Sequence, residues 1–123
     1  MKETFEELVK INKRLREECP WDRVQDFESL KSPLVDEAKE VVEAVEKEDY
    51  KNLEEELGDL LHNILFISNI AEEKGLFTMK DVLESIKAKL IRRHPHVFGD
   101  EKALTPEDSL RLWKKVKEAE KNE

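Results

Sequence analysis

Several residue types are scarce in this chain, and each scarcity excludes a class of protein. The single cysteine, Cys19, excludes a disulfide framework within the chain. Three glycines cannot supply a GxxxxGK[ST] or GxGxxG phosphate loop. Apolar runs are too short to span a bilayer and no signal pattern is visible, so the sequence predicts a cytoplasmic protein with no membrane partner.

The chain also has fewer positively charged than negatively charged residues. The chain has 22 Lys and Arg against 30 Asp and Glu, which gives a formal net charge of -8. This charge repels polyanions, so DNA and RNA are not expected as partners. Charged residues make up 42% of the chain, and with so few glycines this composition is typical of long helices with solvated faces.

Capping and breaking signals place the first helices. Thr4 and Glu7 have the spacing of a capping box and predict a helix that ends near residue 18. Pro20 and the lack of helical periodicity predict a loop over residues 19–29. Ser32 and the proline that follows it predict the N-cap and first residue of a second helix, which runs to about residue 47.

Three further helices follow. Asp49 is predicted to cap a long helix that ends at Gly75, where a residue in the left-handed conformation is expected. Thr78 begins the next helix, and Thr105 caps the last one, which starts at Pro106.

No strand pattern competes with these helices, so the sequence predicts an all-α fold as a single domain over residues 1–123. Short connections make neighbouring helices antiparallel. Apolar residues amount to only 38% of the chain, which is modest for a monomeric core of this size. We therefore expect a four-helix-bundle-type core that is completed by dimerisation or by a higher homo-oligomer.

The helix after Asp49 places carboxylates beside apolar residues. On a helical projection, Glu56 and Asp59 lie in a sector that becomes apolar two turns later, with Asn63 and Phe66. Such carboxylates are expected at a half-buried surface, where they need a cationic partner. The predicted core stripe of this helix comprises Leu53, Leu57, Leu60, Leu61, Ile64, Ile67 and Ala71.

The preceding helix repeats this arrangement with Glu37 and Glu40, which are again three residues apart. Antiparallel packing of the two helices would bring the four carboxylates together. Oxygen ligands without Cys or His suit Mg²⁺, with Mn²⁺ also possible, and Mg²⁺ bound in this way accepts phosphates as further ligands. The alternative is that such pairs arise by chance among 30 acidic residues and face solvent.

Basic and aromatic side chains later in the chain are candidates for nucleotide contacts. Lys89, Arg92 and Arg93 share one face at a helix end, and guanidinium groups match phosphate oxygens; the alternative is ordinary pairing with the helix dipole. Trp113 and Trp21 offer stacking surfaces for a base, although a lone Trp at helical spacing is more often part of a core. Structural roles are expected for His62, His94 and His96.

Four ordered motifs, CPWD with Gln25 after it, DEAKE, EELGDLL and KLIRRHPHVF, resemble those of the MazG-like nucleoside triphosphate pyrophosphohydrolases. The resemblance covers most of the chain. It implies an all-α fold in which helices of two protomers form a bundle. It also implies that Mg²⁺ is held by Glu37, Glu40, Glu56 and Asp59.

The resemblance further implies which residues bind substrate. The lysine and arginines of the KLIRR stretch would hold phosphates, and an aromatic residue later in the chain would lie near the nucleotide. In the DEAKE stretch, Asp36 stands where the family motif has its first acid. Asp36 and Glu55, which are next to Glu37 and Glu56 in the sequence, are the two candidates to orient the attacking water. The implied substrate residues are Lys89, Arg92, Arg93, Trp113 and Lys117, with Asn52 and Trp21 as further candidates.

The predicted reaction is Mg²⁺-dependent hydrolysis of a nucleoside triphosphate to a monophosphate and pyrophosphate, with broad specificity and a role in clearing aberrant nucleotides. One alternative is a narrow dUTP or dCTP hydrolase or a phosphoribosyl-nucleotide pyrophosphohydrolase. Another is a non-catalytic helical dimerisation module, in which the acids only form ion pairs with Lys and Arg.

Overall fold

The computed structural model describes residues 1–122, which form seven helices and no strand. The all-α class predicted from the sequence is confirmed. Within these residues, no helix is long and apolar enough to cross a membrane. The helices are α1 (Lys2–Glu18), α2 (Pro20–Arg23), α3 (Phe27–Glu46), α4 (Tyr50–Glu73), α5 (Met79–Arg92), α6 (Pro95–Phe98) and α7 (Pro106–Lys121).

The chain divides into two compact units. The first runs from Met1 to Met79 and holds α1 to α4, and the second starts at Lys80 and holds the rest of α5 with α6 and α7. The single domain predicted over residues 1–123 stays a prediction.

The predicted start of α3 is wrong. Asp26 is its N-cap: the Asp26 carboxylate accepts a hydrogen bond from the Ser29 amide at 2.8 Å, and the Asp26 amide donates to Ser29 Oγ at 2.9 Å. This reciprocal box uses Ser in place of the usual Glu or Gln at its fourth position, so the pattern was missed. Pro33, predicted as the first helical residue, lies inside α3, and Ser32 is not its cap.

The other helix starts differ less. Helix α1 begins at Lys2, ahead of the predicted Thr4 cap, and the predicted loop over residues 19–29 contains α2 and the start of α3. Asp49 caps α4 as predicted, accepting from the Asn52 amide at 3.2 Å. Gly75 follows α4 with φ of 69°, which confirms the left-handed stop.

The core of the first unit lies between α3 and α4. Because only three residues join these long helices and they pack along each other, they run antiparallel. Leu30 of α3 packs with Phe66 and Ile70 of α4, and Phe27 and Ile67 lie against this cluster. The buried residues of α4 are Leu65, Phe66, Ser68, Ile70 and Ala71.

The predicted apolar stripe of α4 is therefore only partly core, and apolar residues of α3 are exposed as well. In the isolated chain Leu57 is 50% exposed, and Val42 and Val45 are 53% and 54% exposed. The side of α4 that carries Glu56 is the side that continues into buried Phe66. The projection placed these residues in the right sectors, but both sectors of α4 contribute to the core: Ala71 of the predicted stripe is buried, and so are Phe66 and Ile70 of the acidic sector.

Polar side-chain contacts join helix α1 to α4. Asn12, which is 2% exposed, donates through Nδ2 to His62 Nδ1 at 3.1 Å. The Arg16 guanidinium binds both oxygens of Glu73 at 2.9 and 3.1 Å. It also donates to the carbonyl oxygens of Asp22 and Gln25 at 2.6 and 2.8 Å, which ties the turn containing α2 to α1.

Candidate functional site

Three of the four predicted metal ligands meet where α3 packs against α4. Each of Glu37, Glu56 and Asp59 offers a carboxylate oxygen, and these three oxygens lie within 4.8 Å of one another. Glu37 and Glu56 are half-buried and Asp59 is exposed. Glu56 and Asp59 are three residues apart on α4, so their side chains leave the helix on one face.

Crowding of like charges perturbs this cluster. The pKa of Glu56 is raised to about 8, first by a hydrogen bond shared with Glu40, then by one shared with Glu37. Burial raises the pKa of Glu37, and repulsion from Glu40 and Asp59 raises it further. In the cation-free protein a proton therefore remains in the cluster near neutral pH, because the carboxylates cannot all ionise at this spacing.

The cluster fits a hard divalent cation. Glu37 Oε2 and Glu56 Oε2 are buried and accept no hydrogen bond within residues 1–122. Buried acceptors of this kind need a donor or a cation, and a set made only of carboxylate oxygens suits Mg²⁺ or Mn²⁺ better than zinc. Glu40 is exposed and adjoins the group through Glu56, so it can supply a fourth ligand.

The remaining predicted residues of the first unit lie on its surface or in caps. Asp36 and Glu55 are exposed. Asn52 is half-buried, and its amide is the donor to the Asp49 cap. Trp21 belongs to α2 and is 60% exposed, and its carbonyl accepts from Gln25 Nε2 at 2.9 Å.

The predicted phosphate-binding and late aromatic residues belong to the second unit. Arg93 and Trp113 are in contact, with the guanidinium carbon 4.9 Å from the centre of the indole ring. The His94 ring meets the same indole edge to face, at 5.3 Å between ring centres. Lys89 is half-buried near the end of α5, and Lys117 is exposed on α7.

A carboxylate that was not predicted joins the two arginines. Glu120 on α7 accepts from Arg93 Nη2 at 2.8 Å and from Arg92 Nε. These hydrogen bonds, with Arg93 contributing most, lower the pKa of Glu120 to about 2. Glu120 follows Trp113 by seven residues and therefore lies on the same face of α7. This spacing is visible in the sequence and could have identified Glu120 as a neighbour of Trp113.

His62 and His94 make polar and ring contacts, whereas a ring nitrogen of His96 has no hydrogen-bond partner within residues 1–122. His62 pairs with Asn12 and stacks edge to face on Phe66, with 6.1 Å between ring centres. His94 Nδ1 lies 2.6 Å from the Leu90 carbonyl oxygen. His96 Nδ1 is buried with no hydrogen-bond partner in the described part of the chain.

The chain is similar to proteins of known family. Residues 25–98 match the MazG nucleotide pyrophosphohydrolase domain. Nucleoside triphosphate pyrophosphohydrolase/pyrophosphatase MazG of Thermotoga maritima is 47% identical over 119 residues, which are 95% of this chain and 45% of that protein. A nucleoside triphosphate pyrophosphohydrolase of Escherichia coli strain K12 is 39% identical over 95% of this chain and 46% of its own length. The chain thus spans about half the length of these curated relatives.

A solved structure of similar size is also related. The crystal structure of a mazG-related protein from Thermotoga maritima superposes with a TM-score of 0.79 at 33% sequence identity. The match covers 92% of this chain and 98% of that one.

Proposed function

Because the chain belongs to the MazG nucleotide pyrophosphohydrolase family, we propose that it hydrolyses nucleoside triphosphates between the α- and β-phosphates. Water and the triphosphate give a nucleoside monophosphate and pyrophosphate. The observation that carries this proposal is the meeting of three carboxylate oxygens from α3 and α4 within 4.8 Å, with two buried oxygens that lack a donor. An acidic group of this kind is a site for the cation that accompanies a polyphosphate.

The proposed cation ligands are Glu37, Glu40, Glu56 and Asp59, with Mg²⁺ as the expected ion and Mn²⁺ as a second candidate. A divalent cation held there would neutralise phosphate charge and lower the pKa of a water molecule. The protein contributes the positions of its carboxylates, which extend from the helical backbone of α3 and α4. Glu56, whose pKa is raised, would have to release its proton before its carboxylate could hold a cation.

The other residues are assigned to the substrate and the water. Asp36 or Glu55 accepts a hydrogen bond from the attacking water, since both are exposed carboxylates beside ligands in sequence. Lys89, Arg92 and Arg93 neutralise the charge that develops on the pyrophosphate leaving group. Contacts to the nucleoside are assigned to Trp113, Lys117, Asn52 and Trp21.

We also propose that the chain works as a homodimer or higher homo-oligomer. Val35, Ala38, Val42 and Val45 form the valine face of α3, and all four are exposed in the isolated chain. A continuous apolar helix face of this kind is the surface that a second copy would cover. The expected setting is the cytoplasm, with nucleotides as the only further partners.

Broad nucleotide specificity and a role in clearing aberrant nucleotides are part of the proposal. A narrow dUTP, dCTP or phosphoribosyl-nucleotide hydrolase is separated from it by a competition assay with mixed nucleotides. Equal consumption of several bases supports broad specificity, whereas consumption of one nucleotide alone supports the narrow enzyme.

The decisive test is product analysis after incubation with NTPs and dNTPs in Mg²⁺. The unchanged protein should release monophosphate and pyrophosphate, and Glu56→Ala should lower kcat by at least about a hundredfold, since it removes a ligand of the proposed cation site. Glu54→Ala, an exposed acid on the same helix, is the matched control and should keep its activity. Full activity in Glu56→Ala at saturating Mg²⁺ would show that the site is assigned wrongly.

A further inference from the structure

Glu120 binds two arginines of α5 at once. Its Oε2 accepts from Arg93 Nη2 at 2.8 Å, and its Oε1 accepts from Arg92 Nε and, at 3.5 Å, from Arg93 Nε. The Arg93 side chain is only 11% exposed and that of Glu120 20% exposed. This ion pair is therefore largely withdrawn from solvent, and its geometry is more constrained than that of a surface salt bridge.

The carboxylate offsets the repulsion between two neighbouring guanidinium groups. Arg92 and Arg93 are adjacent in sequence, and both direct a nitrogen at the same oxygen of Glu120. Without an anion between them, like charges at this separation would move apart. One carboxylate thus contacts both guanidinium groups and holds them close together.

Helix α7 also contacts Arg93 through Trp113. The guanidinium lies over the Trp113 indole at 4.9 Å, and Trp113 and Glu120 are seven residues apart on one face of α7. A stacked and hydrogen-bonded guanidinium has lost most of its rotational freedom. Arginine has five N–H donors, and Glu120 engages only two nitrogens of Arg93, so donors remain on this group.

We propose that Glu120 is a positioning residue that holds Arg92 and Arg93 in the orientation in which they bind the phosphates of a nucleotide. The identity of the phosphates as those of a nucleotide rests on the proposed function. The positioning itself rests on the contacts among Glu120, the two arginines and Trp113. The opposite possibility, that Glu120 occupies the place of a phosphate and competes with it, predicts tighter phosphate binding when Glu120 is neutralised.

The test measures binding of inorganic tripolyphosphate by calorimetry, in EDTA so that no divalent cation contributes. Glu120→Gln keeps the length of the side chain but removes its charge, and it should weaken binding by about tenfold. Glu120→Asp keeps the charge but shortens the reach by one methylene, and it should weaken binding by a similar factor. Glu118→Gln is the matched control, because it removes the same charge from an exposed position on α7.

Steady-state kinetics give a second readout, which simple loss of structure would not produce. In Glu120→Gln the KM for a nucleoside triphosphate should rise by about the factor seen for tripolyphosphate, with a smaller change in kcat. Melting curves identify any variant that fails to fold. If Glu120→Gln does not fold, Glu120→Asp, which keeps the charge but shortens the reach, decides.

Each outcome separates this inference from the proposed function. Unchanged or tighter binding of tripolyphosphate by Glu120→Gln would overturn the positioning role, as would full affinity in Glu120→Asp or no saturable binding by the unchanged protein. If the unchanged protein binds tripolyphosphate and Glu120→Gln does not, but no nucleotide is hydrolysed, the inference stands and the proposed function fails.

Discussion

Affinity for a divalent cation should rise steeply between pH 6 and pH 8, above the range in which ordinary carboxylates titrate. The reason is Glu56, whose pKa is raised to about 8 by hydrogen bonds shared with Glu40 and Glu37 and by partial burial. A cation and this proton compete for the same carboxylate oxygens, so the proton must leave before the cation binds. Ordinary glutamates, with a pKa near 4.5, would give no pH dependence in this window.

The size of the effect follows from the pKa. A carboxyl group with a pKa of about 8 is roughly 1% ionised at pH 6 and about half ionised at pH 8, so apparent affinity should rise about fiftyfold. In the cation-free protein, stability changes with pH in the direction opposite to that of cation affinity. Because the folded-state pKa lies above the usual glutamate value of 4.5, the protonated form stabilises the fold. This contribution is complete below about pH 4.5 and is lost as pH rises through 8.

The assay is Mn²⁺ binding by calorimetry at pH 6, 7 and 8, with melting curves in EDTA and in Mg²⁺ at the same pH values. Glu56→Gln cannot titrate and should bind weakly with a shallow pH slope, whereas Glu54→Gln should follow the unchanged protein. The melting temperature gained from Mg²⁺ should increase with pH. Equal affinity at pH 6 and pH 8, or the same slope in Glu56→Gln, would refute the account of the carboxylate cluster.

Three further results are expected. Asp26→Ala should lower the melting temperature by about 4–8 °C, whereas Ser32→Ala should not, because Asp26 caps α3; equal melting temperatures would contradict this capping. Arg16→Ala should cost about 2–4 kcal/mol in urea unfolding through its lost hydrogen bonds, while Arg14→Ala, from an exposed pair with Glu18, should change little. Val42→Glu should shift the protein to monomers in light scattering if the valine face is the oligomer interface, and an unchanged mass would exclude that face.

The all-α class and most helices followed from caps and periodicity, because these signals are local. Asp49, Gly75 and Thr105 each act within one turn of the helix that they delimit, and the structure has them where they were predicted. The start of α3 was missed because Ser32 and Pro33 form a common signal, while Asp26 and Ser29 form an unusual version of the same box.

Long-range partners were not predictable from local pattern. Arg16 binds Glu73, which is 57 residues away, and Glu120 binds arginines 27 and 28 residues away. Nothing in the sequence around Arg16 distinguishes it from Arg14, which remains on the surface. Such pairs depend on how the helices pack against each other. The sequence alone predicts only on which face of its helix each residue lies.

A seven-residue spacing links the acidic site to the core. On α3, Glu37 lies midway between Leu30 and Ala44, which are both buried. On α4, Glu56, Asn63 and Ile70 follow one another at the same spacing, and Ile70 packs against Leu30. Residues seven apart lie within about 20° on a helix, so each acid occupies the face that its helix buries against the other.

This register explains why the acids are held close together despite their charge. The Leu30, Phe66 and Ile70 cluster packs α3 on α4, and the backbone then fixes where Glu37 and Glu56 meet. Burial of apolar side chains elsewhere along the same two helices offsets the cost of bringing the carboxylates together, where hydrogen bonds shared with Glu40 and Glu37 raise the pKa of Glu56. A truncation in that cluster, such as Phe66→Ala, should therefore relax the acids and bring the pKa of Glu56 down towards its usual range.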